Sequence, residues 1–147
     1  MAVPTMLAQK TRYALRALLY LAEAETGRAV QVGDIATTQH VPRKYLELIL
    51  LDLKKGGFVT SRRGPGGGYT LARPASEINF AEVIRLMDGP IALVPCASLN
   101  FYERCGDCRD EATCAIRRVM AKVREDAART LAGTSLADAA AFETLAA

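Results

Sequence analysis

Four cysteines fall within one short stretch of this chain, spaced C-x8-C-x2-C-x5-C as Cys96, Cys105, Cys108 and Cys114, and no other cysteine occurs in the sequence. Nothing at the N-terminus has the basic n-region, apolar h-region and cleavage site of a secretory signal, so the expected compartment is the cytoplasm. Thiols stay mostly reduced there, and a tight cysteine cluster reads as metal-binding or redox-active before it reads as a disulfide framework. No apolar stretch approaches a membrane span. Leu7–Ala22, for instance, is interrupted by Gln9, Lys10, Arg12 and Arg16.

At 147 residues the chain can bury one core, or one core plus a dimerisation element. Its net charge of +3 is unevenly spread: residues 1–75 carry 11 Lys/Arg against 5 Asp/Glu, residues 76–147 carry 8 against 11. A basic first half suggests a nucleic-acid-binding module, chance asymmetry of solvated faces being the alternative.

Residues 1–6 read as a disordered lead, with Pro4 opposing an early helix. A helix follows from Leu7 to Glu25, with Tyr13, Ala14, Ala17, Leu18, Leu21 and Ala22 at helical spacing and Gly27 ending it. Leu15 and Leu19 widen its apolar surface beyond one stripe. Val32, Ile35 and Ala36 fit a short second helix, and Pro42 suits the first position of a third, over residues 43–55. There Tyr45, Leu46, Ile49, Leu50 and Leu53 form the buried face, and Gly56-Gly57 stops the helix.

Two short helices joined by a tight turn, the second opening with Arg43-Lys44, have the form of a helix-turn-helix. Strands at 58–61 and 69–72 then flank Arg62-Arg63-Gly64-Pro65-Gly66-Gly67-Gly68. Adjacent arginines on a glycine-rich hairpin tip suit a wing that lies on phosphates or enters a minor groove. A plain hairpin tip is the bland alternative. A nucleotide-cradling loop is a poor match, because the Lys-Ser/Thr ending and a directly following helix are missing.

Residues 79–88 form a further amphipathic helix, closed by Gly89-Pro90. Residues 91–112 hold the cysteines in a loop of little periodicity. A long helix begins near Cys114, capped by Thr113 or Asp110, with Ile116, Val119, Met120, Val123, Ala127 and Leu131 in a seven-residue rhythm. That stripe is either an intrachain core or a dimer seam, and a chain this short offers few elements to cover it. Arg117, Arg118, Lys122, Arg124, Glu125, Asp126 and Arg129 occupy the opposite face. Gly133 ends the helix, and Thr134–Asp138 resembles a cap before a last helix, Leu136–Leu145. The expected fold is mostly α with a small β-wing: a winged helix-turn-helix over 6–75, a connecting segment over 76–95, the cysteine loop over 96–114, and dimerisation and terminal helices over 114–147.

Gln9–Leu15, Tyr45-Leu46-Glu47, Arg63–Tyr69, Glu82-Val83-Ile84, the cysteine loop and Ser135–Asp138 form a set of motifs covering essentially residues 6–140. In these motifs the chain resembles the IscR, NsrR and RirA group of bacterial winged-helix regulators that carry iron–sulfur clusters. The resemblance implies a homodimer with crossing long helices, each subunit reading one half-site of a pseudo-palindromic double-stranded operator. The DNA contacts would come from Arg43, Lys44, Tyr45, Glu47, Leu48 and the wing, Arg62 to Gly68. The family glutamate matching Glu47 takes part in base discrimination, as a carboxylate accepting from a cytosine amino group can. Leu48 stands where the family has a glutamine, and Lys44 where it has a serine.

The family commonly uses three cysteines near C-x5-C-x5-C plus one other ligand. Here Cys105 is extra, and Arg12 occupies the position of a partner-donated aspartate. The histidine used by another branch is absent, since the only histidine, His40, lies in the turn before the third helix. The simplest resolution is one cluster, 2Fe–2S or 4Fe–4S, on all four cysteines; the alternative is Cys96, Cys108 and Cys114 with another ligand. Four thiolates is the usual count for either type, and Cys114 at a helix start lies where the dipole favours a thiolate. Structural zinc, reversible disulfide chemistry and an inert loop remain open as readings of the spacing. An electron-transfer protein would leave the wing and helix-turn-helix unexplained. No paired acid and base suggest an enzyme.

Overall fold

The computed structural model describes residues 7–24 and 27–146. The expected lead over 1–6 and the end of the first helix at Glu25 lie outside the described residues. Helix α1 (Gln9–Glu23) is the central element: Ala14, Leu15, Ala17, Leu18 and Leu21 are buried. Its wide apolar surface meets several intrachain neighbours. They are α2 (Val32–Gln39), α3 (Arg43–Lys55), β2 (Gly68–Leu71), α4 (Phe80–Met87) and α6 (Leu136–Ala146).

α2 and α3 form the helix-turn-helix. α2 ends on His40 in the left-handed conformation (φ 54°, ψ 46°), a position where glycine is usual. Pro42 is the N-cap of α3 and not its first helical residue as expected. Its fixed φ serves equally well one position earlier, because the cap also lacks an intrahelical donor role. Leu46, Ile49, Leu50 and Leu53 are buried as expected, but Tyr45 is only half-buried, its ring edge-on to Tyr13 at 5.8 Å. A Lys10–Asp52 ion pair (2.8 Å) also ties α1 to α3.

The strands sit one residue off the expected positions: β1 (Val59–Arg62) pairs antiparallel with β2, Val59 opposite Leu71 and Arg62 opposite Gly68. Val30 exchanges backbone hydrogen bonds with Tyr69 (2.9 and 2.8 Å), anchoring the wing to the segment before α2. A single-turn 3-10 helix (Ala75–Glu77) leads to α4, which opens with a reciprocal capping box between Asn79 and Glu82.

Another 3-10 turn (Pro95–Ala97) lies within the expected loop, followed by the long helix α5 (Ala115–Ala132). Its cap is Cys114 and neither Thr113 nor Asp110; the Cys114 sulfur accepts from the Arg117 N–H. Asp110 instead accepts from Ala112 N and Thr113 Oγ1 within the preceding turn. No residue of α5 is buried, so the intrachain-core reading of its stripe fails: Ile116 is 68% and Val119 56% exposed.

After Gly133 the chain returns to the core. Ser135 and Asp138 cap α6 reciprocally (3.0 and 3.1 Å). Leu136 N–H bonds to Ile78 O (2.9 Å), and Leu136 is fully buried in the cluster formed by Leu18, Ile35, Ile49 and Leu53. Among the described residues no helix is long and apolar enough to cross a membrane.

Candidate nucleic-acid interface and thiol site

The outer face of α3 and the wing expose most of the residues expected to meet DNA. Arg43, Lys44, Glu47 and Leu48 are exposed. Arg43 and Glu47 pair at 3.4 Å, but on so exposed a surface the pair is weak and both side chains can turn to another partner. Tyr45 packs on α1 and positions the helix more than it offers a contact surface. Lys54 donates to Ser61 Oγ (2.6 Å), fixing α3 against β1.

In the wing, Arg62 to Gly66 are exposed, and neither Arg62 nor Arg63 has an ion-pair partner among the described residues. Gly67 is buried and Gly68 half-buried, which makes these two framework. A Cβ on Gly68 would stand 2.3 Å from the Val30 carbonyl oxygen, and its φ of 139° disfavours any side chain.

All four cysteines line one cavity of about 690 Å³ between the 3-10 turn at Pro95–Ala97 and the first turn of α5. Cys96 is buried, Cys108 and Cys114 are half-buried, and Cys105 is exposed. The C-x2-C segment turns through a Cys108 N–H to Cys105 O bond (3.1 Å). Cys105 donates its thiol hydrogen to Asp107 Oδ1 (2.8 Å). This bond, with the Asp107 charge, holds the Cys105 thiol above its ordinary pKa, and the same bond holds Asp107 below the usual carboxylate value. Tyr102 donates to the Glu111 carboxylate across the loop, which raises the Tyr102 pKa.

Two residues that the sequence placed among solvated charges prove to be structural. Arg117 Nε donates to Cys96 O (3.1 Å), and Arg124, its side chain only 15% exposed, donates to Ala97 O. They lie seven residues apart on one face of α5 and grip the 3-10 turn that carries Cys96. Only their heptad spacing hints at this in the sequence.

Four thiols are the donor type and number that an iron–sulfur cluster takes, and here all four line one cavity. Among the described residues no three His, Cys, Asp or Glu side chains are gathered closely enough to hold a metal ion as they stand.

A profile of the family described as "Rrf2: Iron-dependent Transcriptional regulator" matches residues 7–141. An rrf2-like HTH-type transcriptional regulator of Rhodobacter capsulatus is 46% identical over 121 residues, 80% of this chain and 81% of the relative. Among solved structures, the B. subtilis global cysteine regulator CymR is similar with a TM-score of 0.78 and 28% identity, covering 95% of this chain and 98% of that one. IscR of T. potens is similar with a TM-score of 0.71 and 27% identity, covering 91% and 85%.

Proposed function

Because this chain belongs to the Rrf2 family of transcriptional regulators, and is thus a DNA-binding protein and not an enzyme, we propose that an iron–sulfur cluster on Cys96, Cys105, Cys108 and Cys114 controls its affinity for operator DNA. The observation that carries this reading is the shared cavity: the chain's only four cysteines line it, at the start of the helix whose arginines hold the turn carrying Cys96. The working unit is a homodimer joined along the open stripe of α5, each subunit laying the exposed face of α3 and its wing on one half of a pseudo-palindrome. Residues 6–75 supply the DNA-binding part, 76–95 the connection, 96–114 the sensor and 114–147 the dimerisation segment.

When bound, such a cluster supplies a group whose integrity depends on iron supply, oxidants and nitric oxide. The chain's own residues carry the consequence. Arg117 and Arg124 couple the backbone at Cys96 and Ala97 to α5. α5 packs on α4, α4 on α1, and α1 on α3, a continuous route of packed helices from thiol to recognition surface. A coupling of about 1–3 kcal/mol along it changes operator affinity roughly 5- to 150-fold.

The test is a visible spectrum of anaerobically purified protein alongside operator titrations of holo and apo forms. Visible thiolate-to-iron charge-transfer bands and a difference in affinity between the forms support the reading. Colourless protein, or equal affinities, would sink it. Cys105→Ser separates the two ligand sets, because an unchanged spectrum leaves Cys96, Cys108 and Cys114 with another ligand. A cluster-free thiol switch is the second reading, and the exposed Cys105 in its C-x2-C turn favours it. It requires colourless protein whose DNA affinity responds to thiol oxidants.

A further inference from the structure

The outer face of α3 carries an apolar feature that core packing does not require. Leu48 is 61% exposed and Leu51 45%, while Leu46, Ile49, Leu50 and Leu53 on the opposite face are fully buried. Residues three apart are neighbours on a helix surface, so Leu48 and Leu51 form one continuous apolar spot. Lys44 lies one turn before Leu48 and Lys55 one turn after Leu51, both exposed. The outward stripe therefore runs cation, apolar, apolar, cation.

At 1.5 Å rise per residue, the two lysine positions stand about 16 Å apart along the helix. A matching partner surface carries anions at both edges and an apolar patch between them. The DNA major groove has that layout: it is about 12 Å wide, bordered by phosphates, and its only apolar group is the C5 methyl of thymine. Arg62 and Arg63 of the wing, which have no ion-pair partner among the described residues, and the basic first half of the chain place the same charge preference around the spot.

We propose that Leu48, backed by Leu51, reads a thymine methyl in the major groove of each half-site. This rests on the reading of α3 as the DNA-contacting helix, and it adds the chemistry of the base that helix selects. A leucine side chain makes no hydrogen bond, so it selects for a methyl at the pyrimidine C5 position. The neighbouring Glu47 supplies an acceptor suited to a cytosine amino group. The half-site thus combines one pyrimidine known by its methyl with one known by its amino group.

The experiment starts with a duplex selected from a random pool by the full-length, anaerobically purified protein. Each thymine is then replaced singly by deoxyuridine, which removes only the methyl, and affinity is measured at fixed salt by fluorescence anisotropy. The expected result is one position per half-site where uracil weakens wild-type binding about fourfold, the worth of one buried methyl group. Leu48→Ala binds thymine and uracil duplexes equally, with an unchanged Tm because the side chain is exposed. At that position 5-methylcytosine paired with guanine binds better than cytosine does.

A selected duplex in which no thymine methyl matters overturns the proposal while leaving the DNA-binding reading intact. So does retained methyl sensitivity in Leu48→Ala. A pool that yields no bound duplex fails the reading of α3 itself and the proposal with it. In that case Leu48→Ala altering the oligomeric state would assign the spot to a protein contact.

Discussion

At the scale of single residues, two wing glycines that look alike in the sequence do different work. Gly66 has a positive φ of 74° with open space where a Cβ would go, whereas at Gly68 a Cβ would run into the Val30 backbone. Gly66→Ala is therefore expected to cost about 1 kcal/mol. Gly68→Ala is expected to cost about 2–4 kcal/mol and to detach the wing from the segment before α2. Urea denaturation of the two variants measures the difference, and equal losses would deny the Val30 bridge its role. The Arg-Gly-Pro-Gly-Gly-Gly run was legible as a hairpin tip from composition alone. The division between residues facing outward and residues holding the turn was not, because it depends on Val30, which no local pattern links to the wing. The thiol site divides in the same way. That its four cysteines gather in one stretch was plain in the spacing, but the hold of Asp107 on the Cys105 thiol depends on side-chain placement in an aperiodic loop.

At the scale of elements, α5 shows what periodicity conveys and what it omits. The rhythm of Ile116, Val119 and Val123 located the helix and its open stripe. It could not locate the cap, because preferences for helix starts are built on oxygen acceptors and here a sulfur accepts the Arg117 N–H. Nor could it separate Arg117 and Arg124 from the solvated charges beside them, since both types fall outside the apolar stripe. On the proposed homodimer, Val119→Asp is expected to leave helix content unchanged and to shift the protein from dimer to monomer in sedimentation equilibrium. An unchanged dimer would place the seam elsewhere. Arg124→Ala leaves the buried Ala97 carbonyl without its donor and is expected to cost about 1–3 kcal/mol. The loss should be local, seen as faster hydrogen exchange over residues 95–111 with α1 to α3 unaffected. Uniform acceleration along the whole chain would count against a local clasp.

At the scale of the whole molecule, the mostly α fold with its β-wing was readable because the helix-turn-helix, wing and long helix are each local patterns. The closure of the core was not. Leu136 sits in the same buried cluster as Leu18 and Ile35, and its N–H bonds to Ile78 O, so the last helix completes the packing begun by the first. Only tertiary contact reveals that. Leu136→Ala is expected to cost about 2–5 kcal/mol, as buried leucine truncations do, and to melt the helix-turn-helix together with α6 in one transition. Two separate thermal transitions would show that the terminal segment is an independent unit.

That late closure has a consequence for how the chain is made. Translation runs at about 5–20 residues per second, so roughly 3–12 s separate the synthesis of Ile78 from that of Leu136. All four cysteines are polymerised in that interval. A nascent chain therefore possesses its sulfurs before it possesses a finished reading head.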